Sequence, residues 1–128
     1  MTQSLPENIL CVDDDPILRE LLQAIFEGLD GFTVKLAENG VQAMDVLEEF
    51  KPDLILLDLS MPEMDGAELL SKMQTIEGVS CIPVIFITQF QNIEMGGHYD
   101  KLGVIGVIHK PISPEVLLKD IRDIWDAR

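Results

Sequence analysis

The chain has 128 residues, of which 47% are hydrophobic and 25% are charged, and this balance is typical of one folded domain. Its 9 Lys and Arg against 23 Asp and Glu give a net charge of −14, which would repel phosphate backbones and anionic lipid headgroups. We therefore expect no direct binding to nucleic acid or to a membrane. No apolar run approaches the roughly 20 residues of a membrane span, and residues 1–8 do not look like a signal peptide. A cytoplasmic location is the corresponding expectation.

Five short apolar runs bounded by turn residues predict five strands. The runs lie at residues 9–12, 34–36, 54–57, 84–87 and 104–108. Continuous apolar runs without alternation are typical of strands that are covered on both faces. Because helical segments separate the runs, the sequence predicts an α/β fold with a parallel five-stranded sheet between two layers of helices.

Four segments carry apolar residues at helical spacing. The stripes are Ile17, Leu18, Leu21, Leu22, Ile25, Phe26 and Leu29; Val41, Met44, Leu47 and Phe50; Leu69, Leu70, Met73 and Ile76; and Val116, Leu117, Ile121, Ile124 and Trp125. Pro16 predicts the start of the first helix, and Ser113 followed by Pro114 predicts the start of the last one. A further helix within residues 91–102 is expected to be short or frayed, because it contains Gly96 and Gly97.

The two cysteines are predicted to be buried free thiols. Cys11 lies in an apolar run and Cys81 borders another one. Small buried Cys residues are common in protein cores, and disulfides are rare in cytosolic proteins.

Polar side chains follow the predicted strands at the points where the strands end. Asp13, Asp14 and Asp15 follow the first strand, Asp58 the third, Thr88 the fourth, and His109 and Lys110 the fifth. Ligands of open parallel sheets bind at the carboxyl ends of the strands. Clustered carboxylates repel one another unless a cation joins them, and their hard oxygens favour Mg²⁺ or Mn²⁺ over Zn²⁺. Lys110 and Thr88 could then hold phosphoryl oxygens. For Asp15, capping of the first helix is the competing interpretation.

The motifs resemble those of the response-regulator receiver family. They are Val12-Asp13-Asp14-Asp15-Pro16, Leu57-Asp58 with Met61-Pro62-Glu63-Met64-Asp65-Gly66, Thr88, and Lys110-Pro111. The resemblance covers essentially the whole chain. It implies a flavodoxin-like, doubly wound (βα)5 sandwich with strand order 2-1-3-4-5, and a single receiver domain over residues 1–128 with a core at about 8–126.

The resemblance also implies the roles of the site residues. Asp58 would be the phosphoacceptor, and Asp13, Asp14, Asp58 and the backbone carbonyl of Ser60 would bind Mg²⁺. Lys110 would pair with the phosphoryl oxygens and Thr88 would hydrogen-bond to them. By the same resemblance, the Lys110–Pro111 peptide would be cis.

The implied protein is a signalling module of a two-component phosphorelay. A sensor histidine kinase or a phosphotransfer protein would supply the phosphoryl group from a phosphohistidine, and the domain would catalyse its own phosphorylation and dephosphorylation. The face formed by the helix within 91–102, the fifth strand and the last helix would bind an effector or a second copy. Two departures from the family pattern concern the switch: Val107 replaces an aromatic residue and Gln89 replaces a small one.

Two other functions remain open from the sequence. A receiver could act as a scaffold without being phosphorylated, although the complete acidic set argues against this. A phosphatase with Asp58 as its nucleophile would need a second Asp two residues later, where this chain has Ser60.

Overall fold

The computed structural model describes residues 5–59, 66–76, 78–89 and 102–128, and strands and helices alternate in it as far as the fourth strand. The elements are β1 (Asn8–Val12), α1 (Pro16–Glu27), β2 (Thr33–Ala37), α2 (Gly40–Glu49), β3 (Leu54–Asp58), α3 (Gly66–Met73), β4 (Val84–Thr88), β5 (Val104–His109) and the C-terminal helix α4 (Pro114–Ala127). All five predicted strands are confirmed. The helix predicted within 91–102 lies outside the described residues, apart from Leu102.

The five strands form one sheet with the order β2-β1-β3-β4-β5, and every neighbouring pair is parallel. This confirms the predicted doubly wound fold and its strand order. Because all strands run the same way, their carboxyl ends lie along one edge of the sheet, and the residues that follow them come together there.

Each face of the sheet carries its own apolar cluster. On one face, side chains of α2 and α3 such as Leu47 and Leu70 pack on Leu10 and Ile55. On the other face, side chains of α1 and α4 pack on the alternate strand residues, for example Ile9. The three central strands β1, β3 and β4 are buried along almost their whole length, which explains their continuous apolar sequences.

Three apolar residues of the predicted helical stripes lie at the surface instead of in the core. Ile17, Val41 and Val116 are 76%, 51% and 42% exposed. Each lies in the first turn of its helix, on a side that faces away from the core, whereas the adjacent Leu18 and Leu117 are buried. The stripe of α1 that does reach the core consists of Leu18, Leu22 and Phe26.

The predicted helix starts are confirmed. Pro16 opens α1, and the side chain of Asp15 accepts a hydrogen bond of 2.9 Å from the backbone N–H of Ile17, so Asp15 caps this helix. Ser113 occupies the cap position of α4, but its side chain makes no capping hydrogen bond. None of the described helices combines the length and apolar character that crossing a membrane requires.

The two cysteines have different environments. Cys11 is buried in β1, as predicted, whereas the prediction for Cys81 is wrong because its side chain is exposed. Cys81 lies in the turn that leads into β4, before the buried residues of that strand begin. Burial, with a smaller contribution from the charge of Asp13, raises the pKa of the Cys11 thiol far above its usual value.

We therefore expect iodoacetamide to modify Cys81 alone in the folded protein at neutral pH. The thiolate is the reactive form, and Cys11 lacks both solvent access and the ionised state. Mass spectrometry should show one adduct in buffer and two in denaturant, one for each of the two cysteines. Modification of both thiols at equal rates without denaturant would contradict the burial of Cys11.

Candidate functional site

The carboxyl edge of the sheet brings five of the predicted site residues together. Asp13 and Asp14 follow β1, Asp58 ends β3, Thr88 ends β4 and Lys110 follows β5. Asp58, Thr88 and Lys110 line a polar cavity of about 280 Å³, together with Asp14 and Gln89. Asp13, Asp58 and Thr88 are the buried polar residues of the described chain, so polar burial is concentrated at this edge.

Three carboxylates form the acidic part of the site. Asp13, Asp14 and Asp58 each offer one oxygen, and these oxygens all lie within 4.8 Å of one another. Asp13 and Asp58 are buried, whereas Asp14 is exposed. Three ionised carboxylates at this distance repel one another, and water can screen only the exposed one well.

The two carboxylate oxygens of Asp13 have different surroundings. Oδ1 accepts a hydrogen bond of 2.9 Å from the backbone N–H of Asp15. Oδ2 is buried and receives no well-aligned hydrogen bond from a described residue, although the Lys110 ammonium lies 2.9 Å away. Oδ2 thus retains capacity for a further electrostatic partner.

Lys110 is the positive charge of the cluster. Its Nζ lies 2.9 Å from Asp13 Oδ2 and 3.6 Å from Asp58 Oδ2. Burial alone would lower the pKa of Lys110, but hydrogen bonding and attraction to Asp13, followed by Asp58, outweigh this effect and raise the pKa above its usual value. Lys110 is therefore protonated at neutral pH.

The backbone fixes the direction from which Lys110 enters the site. Its N–H donates to the carbonyl of Thr88 at 2.8 Å, which extends the pairing of β4 with β5 by one residue. The Lys110–Pro111 peptide is cis, as predicted.

The donor set fits a hard divalent cation. When ionised, three carboxylates and one ammonium leave an excess of negative charge at the cavity. All the clustered donors are oxygens, and one of them, Asp13 Oδ2, is buried beside the Lys110 ammonium. Such oxygens suit Mg²⁺ or a similar ion better than zinc.

Several predicted residues do not enter this geometry. Ser60, the proposed carbonyl ligand, lies outside the described residues, as do Gly96 and Gly97. His109 ends β5 with an exposed side chain. Val107 is partly buried and packs against the cluster formed with α2 and α3.

The structure adds one residue that the sequence analysis did not single out. Arg19 of α1 donates a hydrogen bond of 2.7 Å from Nη1 to the backbone carbonyl of Asp13. The available signal was its position, one helical turn after the capping residue Asp15 and thus on the side of α1 nearest the strand end. An arginine at such a position also fits an ordinary exposed helix surface, so the sequence alone does not distinguish the two.

The fold and the site together define a class of protein. These are doubly wound α/β domains whose clustered aspartates and lysine, at the carboxyl edge of the sheet, are suited to binding a cation beside a phosphoryl group. A family model described as the response regulator receiver domain matches residues 9–122. The chain therefore belongs to the response-regulator receiver family, as its motifs predicted.

Individual relatives agree with this assignment. The chain is 37% identical over 121 residues to the sporulation initiation phosphotransferase F of Bacillus subtilis. The matched region covers 94% of this chain and 90% of that protein. The chain spans between about a quarter and just over half of the length of several other curated relatives, among them transcriptional regulators.

Two solved structures share the fold. The chemotaxis response regulator CheY4 of Vibrio cholerae has a TM-score of 0.82 and 25% identity, with 94% of this chain and 99% of that chain covered. The receiver domain of a sensor histidine kinase from Pseudomonas aeruginosa has a TM-score of 0.76 and 25% identity, with 95% and 98% covered. That receiver carries a magnesium ion coordinated in its active site cleft.

Proposed function

We propose that this receiver domain accepts a phosphoryl group on Asp58 in a Mg²⁺-dependent reaction and works in a two-component phosphorelay. The observation that carries the proposal is the position of the Asp58 carboxylate. It lies at the end of β3, lines the polar cavity, and is within reach of both the Lys110 ammonium and two further carboxylates. The chain is a receiver domain by homology, and it has this set of groups at the end of β3. It is therefore equipped for phosphorylation and not only for scaffolding.

The proposed reaction is nucleophilic attack by a carboxylate. An oxygen of Asp58 attacks the phosphorus of a phosphohistidine on the donor protein. The new bond joins phosphorus to this oxygen, the bond from phosphorus to the imidazole nitrogen breaks, and the departing nitrogen keeps the electron pair and takes up a proton. Reaction of the aspartyl phosphate with water later releases inorganic phosphate and restores the carboxylate.

Side chains of the cavity assist both steps. Lys110 pairs with the phosphoryl oxygens, and the Thr88 hydroxyl, at the end of the neighbouring strand, donates a hydrogen bond to one of them. In this way the domain contributes to its own phosphorylation and dephosphorylation while the donor supplies the phosphoryl group. Gln89 also lines the cavity and is exposed, so it lies on the path by which a donor or water reaches Asp58.

Mg²⁺ is the proposed cofactor. Asp13, Asp14, Asp58 and the backbone carbonyl of Ser60 would hold it. When bound, the ion offsets the negative charge of the carboxylates and of the transferring phosphoryl group. The magnesium ion in the active site cleft of the P. aeruginosa receiver supports this choice.

The proposed partners follow from the same chemistry. A sensor histidine kinase or a phosphotransfer protein donates the phosphoryl group, and an effector or a second copy binds the face that includes β5 and α4. We propose a cytoplasmic location and no direct contact with nucleic acid, in keeping with the net charge of −14. The single receiver domain is proposed to have its core at residues 8–126, and the family match over 9–122 supports these limits.

Phosphorylation of the purified protein tests the proposal. Incubation with acetyl phosphate and Mg²⁺ should add one acid-labile phosphoryl group, detected by intact mass spectrometry, and excess EDTA should prevent its addition. A phosphorylated histidine kinase domain should transfer its label to this chain under the same conditions. No labelling by either donor, or labelling that proceeds equally well in EDTA, would overturn the proposal.

Asp14→Ala is expected to weaken Mg²⁺ binding by at least about tenfold, since it removes a carboxylate ligand. Stability without metal should stay equal or rise slightly, because the substitution relieves repulsion with Asp13 and Asp58. Calorimetric titration with Mg²⁺ and thermal unfolding in EDTA measure the two effects. Asp45→Ala, an exposed site on α2 with the same change of charge, is the control. A large drop in melting temperature, or unchanged Mg²⁺ affinity, would contradict the assigned role of Asp14.

A further inference from the structure

Arg19 connects the start of α1 with the end of β1. Its own backbone N–H donates to the carbonyl of Asp15 at 3.0 Å as part of the first helical turn. Its side chain turns back, and Nη1 donates to the carbonyl of Asp13 at 2.7 Å. With its side chain only 18% exposed, Arg19 is held close to the protein instead of extending into solvent.

Hydrogen bonds hold Asp13 at its backbone N–H, at its side chain and at its carbonyl, and Arg19 makes the one at the carbonyl. The Asp13 N–H donates to the carbonyl of Ala37 at 3.1 Å, and Oδ1 accepts from the N–H of Asp15. These two bonds fix the amide and the side chain of Asp13. Arg19 binds the remaining backbone group, the carbonyl.

The Asp13 carbonyl belongs to the same planar peptide unit as the Asp14 nitrogen. A hydrogen bond that fixes the direction of this carbonyl also fixes the plane of the unit, and with it the direction in which the Asp14 side chain leaves the backbone. Asp14 is exposed, so packing restrains its side chain less than it restrains the buried Asp13. The location of Asp14 within the acidic cluster thus depends strongly on its backbone.

We propose that Arg19 is a positioning residue for the cation site, because its guanidinium holds the Asp13–Asp14 peptide in the orientation that brings both carboxylates to Asp58. The inference rests on the proposed function, since it assumes that these carboxylates bind Mg²⁺. The hydrogen bond of Arg19 is to the backbone carbonyl of Asp13 and not to one of the clustered carboxylates.

The second contact of Arg19 is of lesser weight. Nη2 lies 3.7 Å from Oε2 of Glu38, whose side chain is 57% exposed. Exposed ion pairs at this distance contribute little to stability. Glu38→Gln therefore removes the ion pair while leaving the hydrogen bond to Asp13, and it serves as a test of which contact matters.

A purely electrostatic role and a positioning role of Arg19 predict opposite changes in Mg²⁺ affinity when Arg19 is replaced. If the guanidinium acted only as a nearby positive charge, its removal would strengthen the binding of a divalent cation. If it orients the peptide, its removal weakens binding. The direction of the change in Mg²⁺ affinity therefore distinguishes the two roles.

The test compares the Mg²⁺ affinity of four variants with that of the wild type by calorimetric titration at constant ionic strength. Arg19→Gln is expected to weaken binding about tenfold, the range found when a group that orients a metal ligand is removed. Arg19→Lys, which keeps the charge but not the planar fork, should weaken it by a smaller factor. Glu38→Gln should stay near the wild type. Arg122→Gln changes the charge equally at an exposed position of α4 and is the matched control.

Phosphorylation by acetyl phosphate provides a second readout. In Arg19→Gln the Mg²⁺ concentration required for half-maximal rate should rise by the same factor as the dissociation constant, while the rate at saturating Mg²⁺ stays within about twofold of the wild type. A residue that merely stabilised α1 would lower the melting temperature without changing either Mg²⁺ constant. If Arg19→Gln does not fold, Arg19→Lys carries the test with the same two measurements.

The outcomes separate this inference from the proposed function. Wild-type protein that binds Mg²⁺ and is phosphorylated, together with Arg19 variants of equal or higher Mg²⁺ affinity, would overturn the role of Arg19 alone. Wild-type protein that binds no Mg²⁺ would overturn both. Weaker binding in Arg19→Gln and Arg19→Lys, with Glu38→Gln and Arg122→Gln unchanged, is the expected result.

Discussion

Asp58→Asn is expected to reduce phosphorylation of the chain to below detection. The amide has nearly the shape of the carboxylate but lacks the negative oxygen that attacks phosphorus. Asp58 ends β3 and lines the cavity together with Thr88 and Lys110, and its Oδ2 lies 3.6 Å from Lys110 Nζ. Intact mass spectrometry after incubation with acetyl phosphate and Mg²⁺ measures the effect.

Asp15→Asn is the matched control for this experiment. Asp15 belongs to the same acidic segment, but its exposed side chain caps α1 through the N–H of Ile17. Asn caps helices about as well as Asp, so this variant should fold and be labelled at close to the wild-type rate. Labelling that persists in Asp58→Asn would place the phosphoacceptor at another residue.

Ile121→Ala is expected to lower the free energy of unfolding by about 2–5 kcal/mol, the range for large-to-small changes in a packed core. Ile121 lies on α4 and is 2% exposed, within the cluster that joins α1 and α4 to the sheet. Its truncation removes buried apolar surface and leaves a cavity, because the neighbouring strand and helix cannot close the gap fully. Urea unfolding at equilibrium gives the value.

Ile17→Ala makes the same chemical change on α1, where the side chain is largely exposed. We expect a change within about 0.5 kcal/mol, since little buried surface is lost and Ala favours a helix slightly more than Ile. A loss of equal size in the two variants would contradict the different burial of these side chains. The comparison is informative because the periodicity of the sequence places both residues in apolar stripes.

The order of elements could be predicted because it depends on local patterns. The central strands are buried on both faces, so their sequences are continuous apolar runs, and Pro16 with Asp15 marks a helix start through the geometry of a helix terminus. The resemblance to receiver domains then provided the strand order and the cis peptide before Pro111, both of which the structure confirms.

The residues that form the candidate site could also be predicted from the order of the strands. Parallel strands bring their carboxyl ends to one edge, so Asp13, Asp14, Asp58, Thr88 and Lys110 could be recognised as neighbours once the strands were recognised. The distances could not be predicted. Whether Lys110 pairs more closely with Asp13 or with Asp58 depends on the relative positions of strands that lie far apart in the sequence.

By itself, the sequence determined the class of fold, the edge of the sheet that carries the chemistry and the residue types gathered there. Only the tertiary structure decided that Cys81 and Ile17 are exposed and that Arg19 binds the carbonyl of Asp13. The physical reason is that an apolar pattern marks only approximately which part of a segment faces the core, whereas the burial of each side chain depends on how closely the neighbouring elements approach it. A hydrogen bond between an arginine and a backbone carbonyl leaves no pattern in the sequence, because every residue has that carbonyl.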